Sequence, residues 1–418
     1  ETFGPILEIE TPSRHATTLG QRLRGVHSRF LMTSELRERI ANLTNGPLTP
    51  LRTATNVRQE TLVAMVTRLG AVTAPLFPEI PTQFFNSPVA STWSRDGWLI
   101  ATERLGELPG KVESQAQLRD FLHQDSLWPW AEDADQCDAF LVLVSIEKHV
   151  RAFALATNGG DSIYEYSVVN FCEASADRQP QINATLAEKR AAIVGVGSVG
   201  SKVAVSLARS GLRKFLLVDD DIMDPANLVR NQLDWQSVGL DKVDAVREAI
   251  LLVAPTAEVV IKPYRLAGQE SAHTNTALLE QIASCDIVID ATADANVFTV
   301  LAAICARRKK TLIWGEVFAG GVGSLMARSR YGIDADPLLV RNAINSYLET
   351  LPPAPFINAT DYYIQQDDVV LVAGDAEVSQ FAASITQFAI DAMVGETRPR
   401  FPASAYLIGC LLYTSPSP

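Results

Sequence analysis

The chain has 418 residues, and 36 Lys and Arg against 48 Asp and Glu give a net charge of −12. A hydrophobic share of 47% and a charged share of 20% exclude a disordered chain. The acidic balance speaks against a general binder of nucleic acid or membrane surfaces. At about 150 residues per domain, the length predicts two or three domains. Five cysteines (Cys137, Cys172, Cys285, Cys305 and Cys410) are odd in number and form no CxxC pair. That spacing argues for reduced thiols in a cytoplasmic protein, without a disulfide framework or a structural zinc site. No run of about 18 apolar residues occurs, and Glu1 is followed by no charged-then-apolar leader.

Residues 1–170 read as an α+β domain of unknown role. Leu36–Leu43 and Thr61–Leu69 have helical spacing, and the four prolines of Pro75–Pro88 predict a loop. Trp98–Thr102 predicts a short strand. Asp138–Ile146 and Arg151–Thr157 predict two more, and Asn158-Gly159-Gly160 marks a turn before Ser162–Val169. His15, His27, His123 and His149 show no metal-ligand spacing. Trp128-Pro129-Trp130 is either a buried pair or a partner surface.

From Leu186 onward, apolar runs alternate with helical segments, which predicts an open, mainly parallel, doubly wound Rossmann-like sheet. Strands are expected at Arg190–Val196, Lys214–Asp219, Glu258–Pro263, Asp286–Asp290 and Thr311–Gly315. Helices are expected at Val199–Ser210, Lys242–Val253, Thr276–Ala283, Val297–Arg308, Leu338–Leu348 and Glu377–Val394. Leu411–Pro418 follows no packing pattern and resembles translated adaptor sequence, so residues 410–418 read as a non-native tail and 171–409 as the second domain.

Between the first strand of this domain and its helix stands Gly195-Val-Gly197-Ser-Val-Gly200. In a GxGxxG loop, glycine permits the turn, the close approach of phosphate, and tight helix–strand packing. The helix N-terminus adds free amides and partial positive charge. Asp219 lies 19 residues beyond Gly200, where a carboxylate accepts hydrogen bonds from ribose hydroxyls. To this point a dehydrogenase and an adenylating enzyme read alike. The next stretch brings Asp221, Asn227, Arg230 and Lys242, and Asp294 follows the fourth strand. Polyphosphate chemistry needs such cations, and magnesium needs such a carboxylate; a nicotinamide site needs neither Arg230 nor Lys242.

At these residues the chain resembles the ThiF/MoeB family, the adenylyltransferases related to ubiquitin-activating enzymes. The resemblance covers residues 176 to 330 well and 330 to 409 loosely. It implies ATP and Mg2+ as cofactors, with Gly195, Gly197, Gly200, Asp219 and Asp221 binding the nucleotide. Asn227, Arg230 and Lys242 would hold the phosphates and Asp294 the metal. Asp177-Arg178-Gln179 matches the family triplet whose arginine acts across a homodimer. The implied partner is a ubiquitin-like or sulfur-carrier protein with a C-terminal glycine, adenylated at its carboxylate. Many relatives then move the acyl group to a cysteine after the fifth strand. This chain has none between Ala306 and Gly409, so adenylation without a thioester at that place is expected. Ala319–Gly323 is either a channel for a Gly-terminated tail or a packing turn. An NAD-dependent oxidoreductase and a non-catalytic nucleotide-binding scaffold are the alternatives.

Overall fold

The computed structural model describes residues 27–42, 48–58, 61–70, 91–130, 138–145, 149–156, 162–170, 181–266, 272–321, 323–350, 363–366, 369–395 and 399–409. The chain divides into two units, Glu1–Ser175 and Ala176–Pro418. Pro75–Pro88, Asn158-Gly159-Gly160, Cys137, Cys172, Cys410, Arg178 and the 410–418 tail lie outside the described residues. No described helix is long and apolar enough to cross a membrane.

The first unit is a closed seven-stranded barrel: β1 (His27–Met32), β2 (Leu48–Arg58), β3 (Thr61–Leu69), β4 (Ser91–Ala101), β5 (Ala139–Val144), β6 (Val150–Ala156) and β7 (Ser162–Asn170). Its strand order is β1-β3-β2-β4-β5-β6-β7, and a parallel β1–β7 pair closes it. Among the described residues this unit has two α-helices, α1 (Ser34–Ala41) and α2 (Gln115–His123). Alternation along β5 explains the packing. Phe140, Val142 and Val144 join a core fed by every strand, whereas Leu141 and Leu143 pack with Leu118, Phe121 and Leu122 of α2. Trp128 belongs to that second cluster, edge-on to Trp130 at 4.8 Å, so this pair is core rather than a partner surface.

Thr61–Leu69 is strand β3, which corrects the helix that its spacing predicts. The β2–β3 register shifts between Arg52 and Thr53, leaving Thr67 as an extra residue whose hydroxyl donates to the Arg52 carbonyl at 3.1 Å. A bulge of this kind breaks the period of two by which a strand is recognised. The β-branched Thr61, Val63, Val66 and Thr67 then favour the pleated partner surface over a helix.

The second unit follows the predicted alternation. Its elements are β8 (Arg190–Val194), α3 (Ser198–Arg209), β9 (Lys214–Val218), α4 (Lys242–Val253), β10 (Glu258–Lys262), α5 (Ala272–Ser284), β11 (Ile287–Asp290), α6 (Ala295–Arg308), β12 (Thr311–Phe318), β13 (Gly323–Ser329), α7 (Pro337–Thr350), β14 (Tyr363–Gln366), β15 (Val369–Val372), α8 (Asp375–Val394) and β16 (Ala405–Gly409). The sheet order is β10-β9-β8-β11-β12-β13-β16, with β14 and β15 forming a separate pair. The first five strands pair in parallel; β13 and β16 add two antiparallel strands that the sequence pattern does not announce. Ala191 and Ile193 of β8 face a core shared with α3, α4 and α8, while Ala192 and Val194 face one shared with α6 and α7. This makes a Rossmann-type α/β fold. The chain leaves β8 toward β9 and β10, then returns to β11 on the other side of β8. The switch point between β8 and β11 opens a crevice at the strand C-termini.

Ala319–Gly321 is a tight turn: a Cβ on Gly321 would lie 3.1 Å from Ala373 Cα, and one on Gly323 2.7 Å from the Phe318 ring.

Arg328 of β13 is fully buried and pairs with Asp391 of α8 at 2.7 Å. Its guanidinium also donates to the Phe401 carbonyl and stands 4.2 Å over the Phe388 ring, and its Nε has no hydrogen-bond partner among the described residues. Replacing Arg328 by Met strands the Asp391 charge and should destabilise the domain by about 3–5 kcal/mol. The double change Arg328→Met, Asp391→Leu should recover most of that loss. Urea unfolding measures both, and equal losses in the single and double variants would refute this reading of the pair.

Candidate active site

Each glycine of the loop has its own physical reason. The Gly195 amide donates to the Val218 carbonyl at 2.8 Å, and Gly195 takes φ +82°. A Cβ on Gly200 would stand 1.9 Å from the Gly195 carbonyl oxygen, so only glycine lets α3 start this close to β8. Gly197 differs, because nothing lies within 4 Å of where its Cβ would be. It is the N-cap of α3, and no side chain caps that end. The first turn of α3 therefore faces an anion site with its helix dipole and without a competing side-chain cap.

Asp219, just past β9, ties this loop down. Its Oδ2 accepts from the Val196 amide at 2.7 Å and its Oδ1 from the Asp221 amide at 2.9 Å. Burial pushes its carboxyl above the usual range, against the pull of those two amides and of Lys242. Lys242 starts α4 and is buried, with Nζ 2.8 Å from Asp221 Oδ2. Asp294 is the N-cap of α6: its Oδ1 accepts from the Asn296 amide at 2.7 Å and the Val297 amide at 3.3 Å. Its Oδ2 accepts no hydrogen bond among the described residues.

A cleft of about 360 Å³ brings Gly195, Gly197, Asp219, Asp220, Asp221, Lys242 and Asp294 together. Gly200 lies under its floor, against Gly195 and Ala291. Two expected ligands stand outside the lining. The Asn227 side chain accepts from the Asp224 amide at 3.2 Å, closing a capping box on the Pro225–Val229 turn. Arg230 Nη1 donates at 3.3 Å to the carbonyl of Ala373, ahead of α8. Sequence reasoning misses three lining residues that follow β10, Tyr264, Arg265 and Leu266. The signal for them is positional, since loops at strand C-termini border the crevice.

Asp290 ends β11 and is 5% exposed, its Oδ1 accepting from the Thr292 amide at 3.0 Å and the hydroxyl at 2.6 Å. Burial raises its pKa despite these bonds and the nearby Arg341. Burial likewise disfavours the thiolates of Cys285 and Cys305, pushing them up to about 11 and about 12.

Residues 171–333 match the ThiF family. An uncharacterized protein, y4qC, of Sinorhizobium fredii is 37% identical over 146 residues, which are 34% of this chain and 24% of that protein. A probable molybdopterin-synthase adenylyltransferase of Porphyra purpurea is 33% identical over 126 residues, 30% of this chain and 31% of that one. Ubiquitin-like modifier-activating enzyme 5 of Caenorhabditis elegans is 36% identical over 87 residues, 21% of each chain. The chain thus spans less than a third of the length of each of these relatives. The segment 171–333 is a ThiF family domain.

Two outcomes test this geometry. Gly200→Ala should destabilise the domain by about 3 kcal/mol through overpacking, whereas Gly197→Ala should change stability by less than about 0.5 kcal/mol. Urea unfolding of both decides it, and comparable losses would refute the division of roles. Asp290→Asn keeps an acceptor for Thr292 and removes the buried charge. Because the folded pKa of Asp290 lies above its ordinary 3.8, the native carboxylate weakens the fold increasingly as pH rises above that value. The variant's gain in Tm should therefore be largest at neutral pH and fade on acidification. A gain independent of pH would count against it.

Proposed function

We propose that this protein adenylates the C-terminal carboxylate of a ubiquitin-like or sulfur-carrier protein with ATP. The single observation that carries the proposal is the cleft that joins the α3 N-terminus at Gly197 to Asp219, Lys242 and Asp294. The names of two relatives, an adenylyltransferase and a modifier-activating enzyme, support it.

Gly195, Gly197 and the α3 amides would receive the phosphates, and Asp219 the ribose. Asp221 would release Lys242 to the triphosphate, which outweighs one carboxylate in charge. Asp294 would hold magnesium through the oxygen it does not spend on α6. Bound there, the metal would neutralise charge on the phosphate oxygens. A carboxylate oxygen of the carrier attacks the α-phosphorus and forms a new P–O bond. The bond from that phosphorus to the bridging oxygen breaks, and pyrophosphate leaves with the electron pair. The products are an acyl-adenylate and pyrophosphate. The nucleophile is already ionised at neutral pH, so no general base is needed and no proton moves. Catalysis reduces to positioning and charge stabilisation. Asn227 would steady the turn that presents Arg230, and Arg230 would reach the phosphates by leaving the Ala373 carbonyl. Arg178 would act from the partner subunit of a homodimer. With Cys285 and Cys305 buried, the acyl group is not passed to either.

ATP–pyrophosphate exchange with Gly-terminated carrier proteins tests this. Arg230→Ala and Asp294→Ala should each lower exchange by about 10²-fold or more with the circular dichroism spectrum retained. Mixing the Arg178→Ala and Asp294→Ala chains should restore part of it. Absence of exchange with every carrier, or full exchange by either single variant, would overturn the proposal.

A further inference from the structure

A second recess opens beside the nucleotide cleft, between α6, α7 and β12. It measures about 60 Å³, and its lining includes Asp290, Asp294, Phe298, Glu316, Arg341 and Asn345. Asp294 lines both spaces, so they adjoin at the residue that caps α6. At about 10–15 Å³ per water, the recess has room for four or five non-hydrogen atoms, roughly the main chain of one terminal glycine.

Its charge pattern is unusual. Three carboxylates and one guanidinium line it, yet Arg341 forms no ion pair and no hydrogen bond among the described residues. The guanidinium lies instead over the Phe298 ring, 4.4 Å from its centroid. A cation–π contact of this kind spends no N–H donor on an acceptor oxygen. Two of the three acids are already engaged, Asp290 with Thr292 and Asp294 Oδ1 with the amides of α6, while Glu316 is exposed. Without Arg341 the recess would present an incoming carboxylate with carboxylates alone.

We infer that Arg341 receives the free C-terminal carboxylate of the acyl substrate and positions it next to the cleft. This rests on the adenylation reading and adds to it a subsite and a specificity-determining residue. The recess also selects a small terminal residue, since a bulky side chain exceeds its volume.

The test uses the full chain, a non-hydrolysable ATP analogue with magnesium, and two probes, N-acetyl-glycylglycine and its C-terminal amide. Isothermal titration calorimetry reads binding of each. The parent should bind the carboxylate at least about ten-fold tighter than the amide. Arg341→Ala should abolish that preference and Arg341→Lys should keep part of it, with nucleotide affinity changed by less than about two-fold in both. Arg341→Gln replaces the Ala variant if the latter fails to fold. A parent without preference, or a preference that survives in Arg341→Ala or Arg341→Gln, overturns the role of Arg341 alone. So does a loss of nucleotide affinity with the preference intact, which would put Arg341 on the phosphates. A parent that fails to bind the nucleotide analogue overturns the adenylation reading and this inference with it.

Discussion

The second unit depends on a partly desolvated carboxylate. Asp219 gives one oxygen to the amide of Val196 inside the glycine loop and the other to the amide of Asp221 beyond β9. Burial disfavours its charge, and the two amides compensate. These bonds fix the spacing between the loop after β8 and the segment after β9, and that spacing decides whether α3 points its N-terminus into the crevice. Gly195 and Gly200 supply the steric half of the same constraint, because a Cβ on Gly200 would meet the Gly195 carbonyl and one on Gly195 would meet Thr292 and Ala291.

Lys242 shows how charge is held in reserve. It is buried and neutralised by Asp221, so the cleft carries its cation without exposing it. A ligand with a single negative charge gains little by displacing Asp221, whereas a polyphosphate with several gains more than it displaces. On the adenylation reading, the arrangement would therefore select ligands by charge.

Much of this was legible in the sequence, and the gaps have physical causes. The alternation of apolar runs and helical segments locates β8 to β12, since buried parallel strands are short, apolar and separated by crossover helices. Gly195, Asp219, Lys242 and Asp294 follow from spacing relative to those strands. What spacing does not show is where a side chain turns. Asn227 and Arg230 lie in the expected stretch, yet one caps its own turn and the other meets Ala373, some 143 residues further along. The β13 and β16 pairing is also long-range, and the β3 strand is hidden by a bulge. The barrel escapes sequence reading because its closure rests on the parallel β1–β7 pair, which joins residues about 138 apart.

The burial of Arg328 has a consequence for synthesis. Its partners, Phe388, Asp391 and Phe401, come 60, 63 and 73 residues later in the chain. A nascent chain that has released only the segment matching the family, up to residue 333, therefore holds a guanidinium whose counter-charge has not yet been translated. Burying it at that stage is costly. The lining of the cleft is encoded before residue 300, but the core around Arg328 closes only after residue 401 clears the ribosome.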